Sequence, residues 1–262
     1  MTSFPRRLYF LFFCLVLSGC GGTSPPLGLV DRRPAVSLPG QHTSMIFDIG
    51  RSVENRVIEC IVMGDGPETI LYMASIHGNE TAGTALLLDF IRYIQRNPRI
   101  LNGKTLIFLP IANPDGFFRN IRYNVNGVDL NRNFATHNRI DSVQFGEFPL
   151  SEPESRAVRK AIQHFAPDRI LSLHEPLDCI DFDGPARNLA HFLAGFTDLE
   201  VQKLGGRPGS LGSYAGEQLG IPTITLELPP EAATLQRAEL WRRYGKLLFA
   251  MAFYLPPSHL GK

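Results

Sequence analysis

The sequence predicts an α/β fold: a central sheet covered by helices on both faces. Three observations predict it. Short apolar runs alternate with longer segments of helical spacing from about residue 46 to 256. That stretch contains neither an internal repeat nor a second linker, so a single domain accounts for it. Its chemistry-bearing motifs fall where strands are expected to end, and ligand sites gather there in such sheets.

The elements follow in order. Arg56–Met63 and Thr69–Ala74 read as strands, separated by the turn-forming Gly64-Asp65-Gly66-Pro67. Glu80–Gln95 reads as a helix, with Leu86, Leu87, Phe90 and Ile94 at helical spacing. Thr105–Ile111 is a buried strand. Glu152–Phe165 is an amphipathic helix with Ser151 as the expected N-cap. Arg169–Leu173, Ile180–Phe182 and Thr223–Leu228 are further strands, and Ala232–Tyr254 is a closing helix.

A different kind of segment precedes the domain. Arg6 and Arg7 lead into an apolar run, Leu8–Leu17, too short to span a bilayer and built like a secretory signal. It ends in Leu17-Ser18-Gly19-Cys20, which resembles a bacterial lipobox; a plain signal peptide is the alternative. On the lipobox reading residues 1–19 are the signal, and 20–45 are a lipidated Cys20 with a Gly/Pro/Ser-rich tether. Residues 46–262 are then the domain, held to the membrane of a bacterial envelope by its lipid and facing the periplasm. Gly21, in place of the Asp that retains lipoproteins at the inner membrane, points to the outer membrane.

Charge excludes one class of partner. Lys and Arg number 26 against 25 Asp and Glu, a net charge of +1, so nothing electrostatic argues for nucleic acid. With Cys14 in the leader and Cys20 at the lipid site, Cys60 and Cys179 remain. They are either a disulfide of an oxidising compartment or two buried thiols.

Four motifs carry chemistry. Ile76-His77-Gly78-Asn79-Glu80 follows a strand, and a His and a Glu three apart at such a turn can reach one metal ion. The plain alternative is a capping turn with Glu80 at a helix N-terminus. His174 ends another strand and can supply a second imidazole, although a lone His there is more often a packed residue. Asn113-Pro114-Asp115-Gly116 is turn-forming. The Asn- and Arg-dense stretch Arg122–Phe134 follows it; its arginines can bind carboxylates or an oxyanion. The alternative is a surface loop with an Asp129–Arg132 pair. Lastly, Glu227 lies in the apolar strand Thr223–Leu228, where a carboxylate is costly unless paired or put to use.

Together the motifs resemble the zinc carboxypeptidase family in order and spacing, over residues 70–235. The resemblance implies a single-domain mixed sheet with helices on both faces, one Zn2+ ion held by His77, Glu80 and His174, and Glu227 as general base. Asn131 and Arg132 match the pair that grips a substrate carboxylate. Arg122 best matches the arginine that polarises the scissile carbonyl, with Arg119 close in register. Within the family, three stretches resemble the branch that cuts the γ-D-glutamyl–diaminopimelate amide of murein peptides: Asn126–Phe134, Pro176–Asp181 and Pro208–Ser213. That likeness implies a murein peptide substrate, with Asp178 or Asp181 facing its distal ammonium. Digestive-type members carry a mobile Tyr near the position of Leu204, whereas Tyr214 falls beyond it. Two other hydrolase readings are an N-acyl amino acid hydrolase of the succinylglutamate desuccinylase or aspartoacylase kind, and a general metallocarboxypeptidase. A non-catalytic peptidoglycan-binding protein is the reading outside enzymes.

Overall fold

A computed structural model describes residues 30–31 and 44–256. The leader, Cys20 and most of the expected tether lie outside the described residues. In chain order the strands are β1 (Val30–Asp31), β2 (Ser44–Arg51), β3 (Val57–Gly64), β4 (Glu68–Ala74), β5 (Lys104–Leu109), β6 (Arg169–His174), β7 (Cys179–Asp183), β8 (Glu200–Val201) and β9 (Thr223–Glu227). Among the described residues they form one sheet in the order β1-β2-β3-β5-β4-β6-β9-β7-β8. The central strands β5, β4, β6 and β9 run parallel. Antiparallel pairings at β1–β2, β2–β3, β3–β5 and β7–β9 make the sheet mixed.

The helices are α1 (Ala82–Arg96), α2 (Pro114–Arg119), α3 (Pro153–Phe165), α4 (Arg187–Ala194) and α5 (Arg237–Phe253). The strand period of two sorts side chains between two cores. Ile70 and Tyr72 of β4, with Leu171, Leu173, Ile224 and Leu226, pack beneath α1, α4 and α5. Leu71 and Met73 point the other way, into a core shared with α3 and with Tyr214 of a π-helical turn, Gly212–Gln218. The sheet is therefore covered on both faces, as the alternating pattern predicts. Among the described residues no helix is long and apolar enough to cross a membrane.

The same alternation aims the site. Leu171, Leu173, Ile224 and Leu226 face α1 and α5, so His174 at the end of β6 and Glu227 at the end of β9 face the opposite side. These two are register partners across parallel strands. β4, parallel to β6, ends three residues before His77.

Several elements differ from the sequence reading. β2 was not anticipated, although Phe47 and Ile49 alternate with polar residues and are buried. It starts at Ser44, and the backbone of Val30–Asp31 pairs with it, so the expected tether contributes at least these residues to the sheet edge. Helix α1 begins at Ala82 instead of Glu80, which leaves Glu80 in the preceding turn, where Ser75 Oγ donates to its carbonyl at 2.9 Å. The Asn113-Pro114-Asp115-Gly116 turn opens α2: the Asn113 side chain accepts the Gly116 N–H at 2.9 Å, and Pro114 takes the first helical position. Ser151 does not cap α3; Glu152 is the N-cap residue, and Ser151 Oγ donates to the Glu152 carboxylate at 2.8 Å. The closing helix starts at Arg237, after a 3-10 turn at Ala232–Thr234 and an extended Leu235. Cys60 and Cys179 are unpaired and buried, and burial pushes both thiols up.

Two contacts lock the site turns to the scaffold. Asp115 at the start of α2 accepts from Ser52 Oγ at 2.7 Å, Arg56 Nη1 at 2.6 Å and the Glu54 N–H at 2.9 Å. Gly78 lies so close to α2 that a Cβ there would fall 2.0 Å from the Gly116 carbonyl carbon, and its N–H donates to the Arg122 carbonyl at 3.2 Å. Backbone cannot yield as a flexible side chain can. Gly78→Ala is therefore expected to destabilise the fold by about 2 kcal/mol or more in urea unfolding; wild-type stability in that variant would show that the approach is not needed.

Candidate metal centre

Three buried side chains converge at the ends of β4 and β6. Glu80 Oε1 lies 2.7 Å from His77 Nδ1, and Glu80 Oε2 lies 2.8 Å from His174 Nδ1. One ligand atom from each residue falls within 4.8 Å of the others. Two imidazole nitrogens and a carboxylate, buried together, are a donor set that fits a catalytic zinc-type ion. The far nitrogen of His77, Nε2, is 3.0 Å from Asp129 Oδ1, a carboxylate–histidine arrangement of the kind that orients metal ligands. Arg122 bridges the two acids, donating to Glu80 at 3.1 Å and to Asp129 at 3.3 Å.

The electrostatics favour charge separation inside the cluster. Burial alone would raise the pKa of Glu80, but His174 and His77 outweigh it and hold the carboxylate well below its usual range. Asp129 behaves alike: burial opposes ionisation, yet the His77 bond and the field of Arg122 bring it down to about 2. Burial would lower His77, but the bonds from Asp129 and Glu80 raise it.

The cluster forms the floor of a cleft of about 210 Å³. Arg122, Asn131, Arg132, Asp181 and Glu227 line it with His77, Glu80 and His174. Glu227 is buried, with the Leu177 N–H 3.5 Å from its Oε2. Asn131 Oδ1 accepts the Leu211 N–H at 2.8 Å, and burial lowers the pKa of Arg132. Arg119 is not among the lining residues; it pairs with Glu54 at the surface. Asp178 is also elsewhere. It takes a left-handed backbone (φ 56°), is exposed, and lines a separate surface groove with Arg242 and Arg243. Of the two acids expected to meet an ammonium, only Asp181 reaches the cleft, because it shares the inward face of β7 with its register partner Thr225 of β9.

Asp129, Glu175, Asp183 and Arg207 escaped the sequence reading in their present roles. Asp129 was weighed only as a partner for Arg132; it binds His77 and Arg122, and caps the short turn Leu130–Arg132 by accepting the Asn131 N–H at 3.0 Å. Its place two residues before Asn131 was the available signal. Glu175, Asp183 and Arg207 also line the cleft, and no motif marked any of them.

Comparison with known proteins agrees with this geometry. The zinc carboxypeptidase family pattern matches residues 40–178. Murein peptide amidase A of Escherichia coli is 32% identical over 203 residues, covering 71% of this chain and 78% of that protein. The crystal structure of the murein-tripeptide amidase of Escherichia coli superposes with a TM-score of 0.61 at 25% identity, covering 87% of this chain and 98% of that one. Carboxypeptidase A of Helicoverpa armigera shares the fold, with a TM-score of 0.68 at 21% identity, over 80% of this chain and 68% of its own. The chain belongs to the zinc carboxypeptidase family.

Proposed function

We propose that this protein is a zinc-dependent amidase of cell-wall peptides that cuts the γ-D-glutamyl–diaminopimelate bond. The observation that carries the reading is the convergence of His77, Glu80, His174, Glu227, Arg122 and Arg132 on one cleft. The similarity to murein peptide amidase A across most of the chain supports the choice of substrate.

His77, Glu80 and His174 would hold the ion, with Asp129 fixing the His77 ring. Zinc, when bound there, lowers the pKa of water towards about 7 and polarises a carbonyl. Glu227 takes the proton of the attacking water and returns it to the leaving amine. Arg122, already beside Glu80, donates to the carbonyl oxygen as negative charge develops. Arg132 and Asn131 grip the carboxylate of the diaminopimelate, and the guanidinium fork suits that shape.

The cleft gives less support to a digestive-type exopeptidase. By register the position where those enzymes carry a mobile tyrosine falls near Leu204, which lines the cleft. Tyr214 is buried, stacked on Phe134 with ring centroids 5.6 Å apart. The leader ending at Cys20 supports a lipid-anchored location in the bacterial envelope, where such peptides are found, and Gly21 favours the outer membrane.

Incubating the full chain with L-Ala-γ-D-Glu-diaminopimelate should release diaminopimelate, and a chelator should stop it. Absence of chelator-sensitive release would reject the amidase reading in favour of an acyl amino acid hydrolase. Glu227→Gln should lower kcat by about 10²–10⁴-fold while zinc content stays at the wild-type level; a near-wild-type rate would remove Glu227 from the mechanism.

A further inference from the structure

The proposed reaction does not use all the charges of the cleft. Three arginines line it, and so do four acids besides Glu80. Most are accounted for. Arg122 is held by Glu80 and Asp129. Glu175 accepts the Ala82 N–H at 2.9 Å, at the start of α1. Asp183 pairs with Lys203 at 2.7 Å. Glu227 is the base, and Arg132 the grip for a main carboxylate. Asp181 and Arg207 remain, and neither forms an ion pair among the described residues.

The two are mechanically connected. Asp181 is buried, and its Oδ1 accepts the N–H of Leu204 at 2.9 Å, three residues before Arg207. The Arg207 carbonyl in turn accepts from the Ser210 N–H at 3.0 Å and from Ser213 Oγ at 2.7 Å. Gly209, with φ +67°, presses on the Arg132 backbone: a Cβ there would lie 2.1 Å from the Arg132 carbonyl oxygen. The loop is thus fastened at Asp181, at the π-helical turn and at Arg132, while the Arg207 side chain stays exposed at the cleft. A buried acid and a neighbouring exposed guanidinium, neither in an ion pair among the described residues, complement a group that carries both signs.

We infer that Asp181 and Arg207 form a second subsite, which binds a substrate side chain ending in an ammonium and a carboxylate on one carbon. The inference rests on the amidase reading and deepens it. Asp181 takes the distal ammonium of diaminopimelate, and Arg207 takes the distal carboxylate. Lysine is the same side chain without that carboxylate, so Arg207 becomes the residue that separates diaminopimelate peptides from lysine peptides. A site built around a charged hydrogen bond discriminates strongly against a ligand lacking the partner, because its own polar group is then left unpaired.

The test compares kcat/KM of the full chain on L-Ala-γ-D-Glu-meso-diaminopimelate and L-Ala-γ-D-Glu-L-Lys, for wild type, Arg207→Gln, Arg207→Lys and Asp181→Asn. Wild type should favour the diaminopimelate peptide by about tenfold or more. Arg207→Gln should bring the ratio towards one, chiefly through KM, and Arg207→Lys should keep part of it. Asp181→Asn should weaken both peptides, since both carry the ammonium. A merely structural role would lower both peptides by the same factor in Arg207→Gln, and that result overturns the subsite. So does a wild type that cuts both peptides equally well, or an Arg207→Gln enzyme with wild-type rates on both; in these three cases the amidase reading survives. A wild type that cuts neither peptide overturns both.

Discussion

Two imidazoles sharing the two oxygens of one buried carboxylate set the terms for the rest of this structure. His77, in the turn after β4, and His174, at the end of β6, pack edge to face with ring centroids 5.0 Å apart, and both reach Glu80. Bringing three donors together, with Asp129 behind them, buries two carboxylates, and among the described residues Arg122 is the one arginine bonded to them. Burial of such a set is costly unless a cation completes it. The demand shows at His77, where the bonds to Asp129 and Glu80 raise the pKa against burial. A divalent ion answers it.

The fold holds this arrangement against its own repulsion through register. Parallel pairing places His174 beside Glu227 and brings the end of β4 level with the end of β6. The tight approach of Gly78 to Gly116 then ties the His77 turn to α2 and, through the Arg122 carbonyl, to the arginine that bridges Glu80 and Asp129. The loop before the π-helical turn also lines the cleft, fastened at Asp181 and at Arg132. The candidate metal ligands, the proposed carboxylate grip and the proposed second subsite are therefore parts of one connected frame.

What could be read from sequence followed the strength of local signals. Strands β3 to β7 and β9 and the α1, α3 and α5 segments declared themselves through apolar runs and periodicity, because burial on both faces leaves few polar interruptions. The convergence of His77, Glu80, His174 and Glu227 was legible as an ordered set of motifs, although each alone had a plain alternative. Elements whose identity depends on a partner were not legible. β2 gains its meaning from pairing with β3, and the π-helical turn from packing on Asp183, where a Cβ at Gly216 would come within 2.5 Å of the Asp183 Cβ. Asp178 and Asp181 look equivalent in sequence; a left-handed residue just before β7 sends one to the surface, while strand parity turns the other inward. Arg207 carried no signal, since only tertiary folding brings its loop to the cleft.

The most direct test of the account is zinc analysis of the purified full chain with its cluster intact and disrupted. One zinc per chain is expected in wild type, with none in His174→Ala. In Asp129→Ala affinity should weaken by about 10–100-fold, because His77 loses the carboxylate that orients it. A wild-type chain that neither carries nor takes up zinc, or a His174→Ala chain that binds it as tightly as wild type, would contradict the account.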